Sequence, residues 1–244
     1  MLANSSHSVI LATDLDGTFL GGLERQKAEF YQYIQANRDR ILLVFVTGRE
    51  LDITFALYDD PNFPIPDYII GDIGTTIVEG KTGKPIPSLQ DWVAREWNNS
   101  NEKVKALLAN EPGIKLQSVI TEYRVSYYYQ PDRLQASTLT KIVEAGYDYL
   151  LSSDRYLDIL PKGISKGPTL LKFIEEMNLE AENVIVCGDT LNDLSLFATG
   201  LKAVAMGNSE PKLIEKIRHL DNVYISSHPG VMAIWDGLKF YEKE

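Results

Sequence analysis

An apolar run near the start of the chain ends abruptly at two aspartates and a glycine. Residues 9–13 read Val-Ile-Leu-Ala-Thr, and Asp14-Leu15-Asp16-Gly17-Thr18 follows directly. A short continuous apolar segment bounded by turn residues is typical of a buried parallel strand that ends in a loop. Ligands of open α/β sheets bind beyond the carboxyl ends of the strands. We therefore predict that the two aspartates lie at a ligand site.

Strand-like and helix-like segments alternate along the first part of the chain. Further apolar runs at 41–46 and 68–71 are predicted strands, and segments with helical spacing lie between them. This alternation indicates a parallel sheet with right-handed crossover connections. The predicted fold class is α/β, with a Rossmann-like core built on that sheet.

The pattern changes near residue 77 and returns near residue 161. We predict residues 1–76 and 161–244 as two parts of one core, and residues 77–160 as an inserted α+β cap. The predicted elements of the cap are a hairpin around 76–84, helices over 89–108 and 134–145, and strands at 114–120, 123–129, 149–151 and 156–159. In the second core part we predict strands at 184–187 and 203–206 and helices over 166–177 and 231–238.

Charge and residue usage narrow the class of partner. The formal net charge is −10, so no basic field is available to attract nucleic acid. A single cysteine, Cys187, excludes an internal disulfide framework and suits a reducing compartment. The first eight residues hold no basic stretch, and the apolar run behind them is too short for a membrane span. We expect a cytoplasmic protein with no membrane partner.

Polar clusters follow several of the predicted strands or begin a helix. These clusters are residues 14–18, 47–49, 166–167 and 188–193. They should converge, because the carboxyl ends of parallel strands lie along one edge of the sheet. Convergence brings four carboxylates into one crevice: Asp14, Asp16, Asp189 and Asp193.

Such a group of carboxylates requires protons or a cation. Two like charges about 4 Å apart repel by about 4 kcal/mol at an effective dielectric constant of about 20. Oxygen ligands of this kind favour Mg²⁺, which also keeps waters and shares phosphate oxygens. The histidines (His7, His219 and His228) are widely separated in sequence, so we do not expect zinc.

Phosphate is the ligand that fits the other clusters. Thr47 and Gly48 lie at a strand-to-helix junction, where backbone N–H groups and a hydroxyl can bind an anion. Lys166 supplies a compact cation, and Gly17 lets the backbone approach a phosphoryl group closely. The residues together indicate phosphoryl transfer through an aspartyl-phosphate.

These clusters, in this order, resemble the motifs of the haloacid dehalogenase (HAD) superfamily of phosphohydrolases. Residues 14–18 match the first motif, Thr47 the second, Lys166 the third and residues 188–193 the fourth. The resemblance covers essentially the whole chain. The segment between the second and third motifs is similar to the α+β cap of sugar-phosphate phosphatases.

The resemblance implies a role for each acidic residue. Asp14 would attack phosphorus and bind Mg²⁺ through its second oxygen. Asp16 would act as general acid and then as general base, with its backbone carbonyl on the metal. Asp189 would ligate the metal, and Asp193 would either ligate it through water or orient Lys166.

The same resemblance implies that Thr47 and Lys166 hold the phosphoryl oxygens and that Asn192 contacts the phosphoryl group or the waters on the metal. Gly48 and Arg49 are further candidate phosphate ligands, because they follow Thr47 at the strand-to-helix junction.

A finer resemblance is to sucrose-phosphate phosphatases and mannosylfructose-phosphate phosphatases. Residues 66–71, 152–162 and 226–228 carry it. Residues 125–127 are similar too, but Arg124 stands where the sucrose-phosphate enzymes have lysine, and Tyr128 where they tend to have histidine. The candidate sugar contacts are Arg124, Ser126, Tyr128, Asp154 and Asp158.

The expected activity is Mg²⁺-dependent hydrolysis of a sugar phosphate, with sucrose 6-phosphate as the first candidate substrate. Mannosylfructose phosphate or another glycosyl or hexose phosphate is the alternative. A phosphomannomutase-like transferase would need a second phosphate site in the cap, where basic residues are scattered. A non-catalytic sugar-phosphate sensor would lack the nucleophile or the general acid, whereas Asp14 and Asp16 are both present. A glycosyltransferase that makes the substrate is the expected protein partner.

Overall fold

A computed structural model describes residues 7–119 and 121–242 of the chain. Its strands are β1 (Val9–Thr13), β2 (Ile41–Val46), β3 (Tyr68–Gly71), β4 (Thr76–Glu79), β5 (Ile114–Leu116), β6 (Val125–Tyr129), β7 (Tyr147–Ser152), β8 (Tyr156–Pro161), β9 (Val184–Gly188), β10 (Lys202–Ala205) and β11 (Val223–Ile225). Its helices are α1 (Glu24–Ala36), α2 (Leu51–Phe55), α3 (Pro87–Trp97), α4 (Asn101–Leu108), α5 (Ala136–Glu144), α6 (Lys166–Glu176), α7 (Leu194–Phe197), α8 (Pro211–Ile217) and α9 (Val231–Tyr241).

The large sheet has the strand order β11-β10-β9-β1-β2-β3-β4. All of its pairings are parallel except the one between β3 and β4. β1 lies inside the sheet, where Leu11 pairs with Leu43 of β2 and with Ile185 of β9. β1 and β2 are buried along their whole length, which explains their continuous apolar sequences. The predicted α/β fold with a mainly parallel sheet is confirmed.

Helices cover both faces of the large sheet. Ala12 packs in a cluster with Phe173 of α6, whereas its neighbour Leu11 packs with Phe30 of α1 and Ile234 of α9. This alternation is the two-residue period of a strand buried on both sides. The packing fixes the carboxyl end of β1, where the polar residues begin.

A second sheet, with the order β5-β6-β8-β7, is antiparallel throughout. We call residues 101–161, which carry this sheet with α4 and α5, the small-sheet unit. It has an apolar cluster of its own that includes Val104, Ile142 and Leu157. Helix α3 joins the two halves, because Val93 packs with the large sheet and Trp97 with the small one.

The predicted cap boundary at residue 77 falls inside a strand of the large sheet. Residues 76–79 form β4, in which Ile77 pairs with Ile70 of β3. A turn at Asp72–Gly74 reverses the chain with φ values of 51°, 61° and 101°. The chain therefore adds an antiparallel edge strand before it leaves the large sheet.

The single helix predicted over 89–108 is two helices. Asn98 and Asn99 have φ values of 50° and 52°, a left-handed conformation that asparagine adopts more readily than most residues and that ends α3.

Helix α8 and strand β11 are additional elements that the sequence patterns did not predict. Ile120, the predicted end of a strand, lies outside the described residues, as do residues 1–6 and 243–244 of the predicted core. Across the described ranges, none of the helices combines the length and the apolar character needed to cross a bilayer.

Candidate active site

Asp14 lies at the carboxyl end of β1, between the loops that follow β2 and β9. Its backbone N–H donates to the carbonyl of Cys187 on β9, at 2.9 Å. The residue is 5% exposed. Its Oδ1 accepts a hydrogen bond from Lys166 Nζ at 2.7 Å. The first and third predicted motifs therefore meet in direct contact.

Lys166 is the first residue of α6 and is completely buried. Its ammonium donates to Asp14 Oδ1 and Asp193 Oδ1 at 2.7 Å, and to Asn192 Oδ1 at 3.0 Å. Burial by itself would lower the pKa of Lys166, but Asp14 and Asp193 raise it above its ordinary value. The buried lysine is therefore held in its charged form by its partners.

Carboxylate oxygens of Asp14, Asp189 and Asp193 lie within 4.8 Å of one another. Burial raises the pKa of Asp14 to about 8, although Lys166 acts in the opposite direction. Burial, with Asp193 adding to it, raises the pKa of Asp189 to about 7. An excess of buried negative charge on oxygen donors is the environment that a hard divalent cation neutralises. The donor set fits Mg²⁺.

Gly17 gives Asp189 the room to reach this cluster. Its φ is 76°, and a Cβ at this position would lie 2.1 Å from Asp189 Oδ2. Thr18 Oγ1 donates to Asp189 Oδ1 at 3.0 Å, and Asn208 Nδ2 donates to the Gly17 carbonyl at 3.0 Å. The glycine of the first motif is thus required by both backbone conformation and close approach.

Both carboxylate oxygens of Asp193 have protein partners. Oδ1 accepts from Lys166, and Oδ2 accepts the backbone N–H groups of Asp189 and Thr190 at 3.0 and 3.1 Å. Of the two roles predicted for Asp193, these contacts favour the orientation of Lys166.

Asp16 and Arg49 form an ion pair at the open side of the site. Arg49 Nε donates to Asp16 Oδ2 at 2.7 Å, and Nη2 donates to Oδ1 at 2.5 Å. The Asp16 side chain is 64% exposed. Arg49, which we predicted to bind phosphate, thus lies on the carboxylate of the predicted general acid.

Thr47, Gly48 and Asn192 lie together beside the acidic cluster. Thr47 is buried, and its Oγ1 accepts the backbone N–H of Arg49 at 3.2 Å. Asn192 Oδ1 accepts from Lys166 and from Thr190 Oγ1, which turns Asn192 Nδ2 toward Gly48. Asn192 and Asp14 accept from the same ammonium group, so these groups lie beside the acidic cluster.

A cleft of about 430 Å³ lies between the large sheet and the small-sheet unit. This volume is within the usual range for small-molecule sites. From the large-sheet side it is lined by Asp14, Asp16, Gly48, Arg49, Glu50, Ile73 and Asn192. From the small-sheet unit it is lined by Gln117, Val119, Arg124, Ser152, Ser153, Tyr156 and Asp158.

Three predicted sugar contacts form one buried network. Arg124 Nη1 donates to Asp158 Oδ1 at 2.7 Å and to Ser126 Oγ at 2.9 Å, and Ser126 Oγ donates to Asp158. The exposed fractions of Arg124, Ser126 and Asp158 are 6%, 2% and 4%. Arg124 and Asp158 reach the cleft, whereas Ser126 lines a neighbouring pocket.

The structure does not bring Tyr128 and Asp154 to the cleft. The Tyr128 ring lies under the Arg155 guanidinium, with 5.1 Å between the guanidinium carbon and the ring centroid. Asp154 binds Lys212 of α8 through both oxygens, at 2.9 and 3.0 Å. Tyr128 lies at an exposed position of β6 and contacts Arg155. Asp154 lies in an exposed turn and binds Lys212.

Sequence reasoning missed Glu50, which lines the cleft, and Asp72, which binds the cleft residue Arg124. Asp72 is 8% exposed and binds Arg124, and it follows strand β3 as Asp14 follows β1, so the same signal could have found it. Glu50 lines the cleft, and its carboxylate has no hydrogen-bond partner among the described residues. No motif pointed to Glu50.

The chain is similar to known phosphatases of phosphorylated sugars. A family model described as sucrose-6F-phosphate phosphohydrolase matches residues 7–242. The chain is 39% identical over 227 residues to the glucosylglycerol-phosphate synthase of Pseudomonas anguilliseptica, a match that covers 93% of this chain and 30% of that protein. It is 29% identical over 229 residues to the mannosylfructose-phosphate phosphatase of Agrobacterium fabrum, covering 89% of this chain and 90% of the relative. The chain thus spans less than a third of the synthase but most of the phosphatase.

A solved structure shares the fold over nearly the whole chain. It is the sucrose-phosphatase of Synechocystis sp. PCC6803 in complex with sucrose and phosphate, with a TM-score of 0.86 and 22% identity. The match covers 97% of this chain and 98% of that one.

Proposed function

The chain belongs to the sucrose-6F-phosphate phosphohydrolase family, and from that premise we propose that it hydrolyses the phosphate monoester of a neutral glycoside in a Mg²⁺-dependent reaction. The observation that carries the proposal is the placement of Asp14. Its side chain is 6% exposed, contacts Lys166, belongs to the acidic cluster, and lines a cleft whose volume is usual for a small-molecule site. Sucrose 6-phosphate is the first candidate substrate.

In the proposed reaction, Asp14 is the nucleophile. Lys166 occupies its Oδ1, so Oδ2 forms the bond to phosphorus while the bond to the glycoside oxygen breaks. Asp16 donates a proton to that oxygen. Asp16 then takes a proton from the water that attacks the aspartyl-phosphate, which releases inorganic phosphate and restores Asp14.

Asp14, Asp189 and the backbone carbonyl of Asp16 would hold the metal, with Asp193 keeping Lys166 in place. When bound, Mg²⁺ supplies positive charge to the phosphoryl oxygens and to the carboxylates around them. Thr47, Gly48 and Asn192 bind the phosphoryl group from the other side of the site. Lys166 offsets the negative charge that Asp14 and the phosphate bring together.

The arginines that line the cleft favour a substrate whose leaving group is neutral, because both of them are already paired with carboxylates. Among the residues that line it in the described part of the chain, Arg49 is paired with Asp16 and Arg124 with Asp72 and Asp158. The other lining residues include no lysine. A second phosphate would therefore meet paired arginines and the carboxylate of Glu50. This argues against a phosphomannomutase-like transferase, which must bind two phosphates.

We propose that the small-sheet unit acts as the cap of this site. It contributes one wall of the cleft, including Gln117, Ser152 and Tyr156, whose polar groups suit sugar hydroxyls. Closure of the unit over the phosphoryl group would exclude water while the aspartyl-phosphate forms.

Glucosylglycerol phosphate is a second candidate substrate. The 39% identity to a glucosylglycerol-phosphate synthase exceeds the 29% identity to the mannosylfructose-phosphate phosphatase. A phosphatase that follows such a synthase would remove phosphate from the product named by that relative. Both candidates are phosphate esters of neutral glycosides.

A substrate panel tests the proposal. Sucrose 6-phosphate, mannosylfructose phosphate, glucosylglycerol phosphate and glucose 6-phosphate are compared by kcat/KM, with Mg²⁺ and with EDTA. One glycoside phosphate is expected to exceed glucose 6-phosphate by about tenfold or more, and EDTA is expected to abolish turnover. An Asp14→Asn variant is the inactive control. A preference for hexose monophosphates, or full activity in EDTA, would contradict the proposal.

A further inference from the structure

We infer that Arg124 and Asp72 form a positioning pair that couples the small-sheet unit to the phosphate-binding loop at residues 47–49. The inference rests on the proposed function, because it assigns a role within that site. It also replaces the sequence-based expectation that Arg124 contacts the sugar.

The turn that carries Asp72 is bound to the phosphate-binding loop. The Asp72 N–H donates to the Arg49 carbonyl, and the Ile73 N–H donates to the Thr47 carbonyl, both at 3.0 Å. The Ile73 side chain packs 3.6 Å from the position that a Cβ of Gly48 would occupy. A shift of this turn therefore moves the backbone that binds phosphate.

The turn is held in a costly conformation. Asp72 and Ile73 have φ values of 51° and 61°, and a left-handed conformation is rare for a β-branched residue such as isoleucine. Backbone strain of this kind persists only where surrounding contacts fix it, and it concentrates at functional sites.

Arg124 supplies contacts to this turn from the small-sheet unit. Its Nη2 and Nε donate to Asp72 Oδ1 at 3.1 and 3.3 Å, and Nη2 also approaches the Gly48 carbonyl at 3.5 Å. Its Nη1 donates to Asp158 of β8. One side chain thus joins the turn, the phosphate-binding loop and the small sheet.

The contacts of this pair favour positioning over sugar recognition. The side chains of Arg124 and Asp72 are 7% and 11% exposed. Each nitrogen of the guanidinium already donates to a protein oxygen, and the second oxygen of Asp72 accepts from Thr76 Oγ1 at 2.8 Å. If the small-sheet unit moved away, Asp72 would lose the cation that Arg124 supplies to Oδ1. The phosphate-binding loop therefore has its binding geometry when the unit is closed.

The chain offers a matched control. Lys212 and Asp154 form another ion pair between the small-sheet unit and the large-sheet half, at 2.9 Å, with side chains 61% and 66% exposed. Within residues 7–119 and 121–242, neither side chain forms a hydrogen bond or ion pair with residues 47–49. Loss of this pair removes a link between the two halves without touching the turn.

The test measures the binding of inorganic phosphate by calorimetry in the presence of Mg²⁺. Inorganic phosphate has no leaving group, so the loss of a sugar contact leaves its Kd unchanged. For Arg124→Met and Asp72→Asn we expect the Kd to rise about tenfold, and for Lys212→Met to stay within about twofold. The double variant of Arg124 and Asp72 should bind phosphate about as weakly as the weaker single variant, because both changes break the same link.

Several results would overturn the inference. An unchanged phosphate Kd with a raised KM for the sugar phosphate would make Arg124 a sugar contact, and additive effects in the double variant would separate the two residues. If Arg124→Met does not fold, Arg124→Lys replaces it; this variant keeps the charge but loses the forked geometry, and an unaltered phosphate Kd would count against the pair. If the wild-type protein hydrolyses no phosphate ester, the proposed function fails, while phosphate binding still tests the coupling.

Discussion

Arg49 holds both carboxylate oxygens of Asp16, with Nε 2.7 Å from Oδ2 and Nη2 2.5 Å from Oδ1. In the proposed reaction Asp16 exchanges a proton with the leaving oxygen, so at least one of these hydrogen bonds must open. An Arg49 released in this way is next to the phosphoryl site and can take the phosphate-binding role that the sequence predicts. In the proposed reaction, the opening of this ion pair would free Asp16 as substrate enters.

Arg49→Lys should lower kcat/KM for the preferred substrate by about tenfold or more. A lysine cannot bind two carboxylate oxygens in the same forked geometry, so Asp16 loses its fixed orientation. Steady-state kinetics on the purified variant measure the effect. Arg25→Lys is the matched control, because Arg25 pairs with Glu29 on α1 with a side chain that is 90% exposed. Equal activities in both variants would count against a role for the Arg49 contact.

Gly17→Ala should weaken Mg²⁺ binding and abolish turnover. The new Cβ would lie 2.1 Å from Asp189 Oδ2, so Asp189 must move away from the cluster. Gly200→Ala separates this clash from backbone strain, because Gly200 has a similar φ of 79° and nothing lies within 4 Å of the position that its Cβ would take. Both variants should lose about 1 kcal/mol of stability from strain. Calorimetric Mg²⁺ titration should distinguish them, and unaltered affinity in Gly17→Ala would show that Asp189 is not a ligand.

Lys166→Met should reduce the free energy of unfolding by about 3–5 kcal/mol. The substitution removes the cation from two carboxylates, Asp14 and Asp193, whose side chains are 6% and 0% exposed. In an Asp14→Asn background the same substitution should cost less, because one of the two charges is already absent. The double-mutant cycle is measured by urea unfolding, in EDTA, of the wild-type protein, the two single variants and the double variant. Additive costs would mean that the lysine does not stabilise Asp14.

The stability of the metal-free protein should fall as pH rises. Asp14 and Asp189 have an ordinary pKa of 3.8, which burial raises to about 8 and about 7. The folded state therefore retains protons that the unfolded state has released, so this contribution is complete below about pH 4 and is lost as pH rises through 7 and 8. Mg²⁺ replaces those protons, and it should raise Tm more at about pH 8 than at about pH 5.

Thermal unfolding with EDTA or Mg²⁺ at several pH values measures both effects. Asp14→Asn, which cannot titrate at this position, should show a smaller loss of Tm with pH. A Mg²⁺ stabilisation that is independent of pH would contradict a site built from these protonated carboxylates.

Much of the large sheet could be predicted from sequence alone. The strands at 9–13, 41–46 and 68–71 have the predicted bounds, because strands buried on both faces leave continuous apolar runs. The convergence of Asp14 and Asp189 follows from the same rule, since polar residues that end such strands share one edge of the sheet. Lys166 reaches Asp14 from the first turn of α6 instead.

The small-sheet side of the cleft could not be predicted in the same way. A strand pattern places Arg124 on a face, but it does not reveal that Asp72, far away in sequence, will neutralise it. Likewise Asp154 is polar and close to the cleft residues in sequence, yet Lys212 of a helix missed from the sequence binds it. The spacing of apolar residues did not predict that a helix ends at Asn98. The apolar spacing continues across Asn98 and Asn99, although both residues have a left-handed backbone conformation.

The connection between β8 and α6 is short. Strand β8 ends at Pro161, α6 begins at Lys166, and within the connection Ile164 is 1% exposed while the Gly163 N–H donates to Asp148 at 2.7 Å. A rotation of the small-sheet unit would therefore change backbone torsions directly before Lys166, whose ammonium group is buried. An insertion or deletion in residues 162–165 would therefore displace Lys166 from Asp14 and Asp193, whereas the length of a more distant loop of the small-sheet unit does not set the position of this ammonium group.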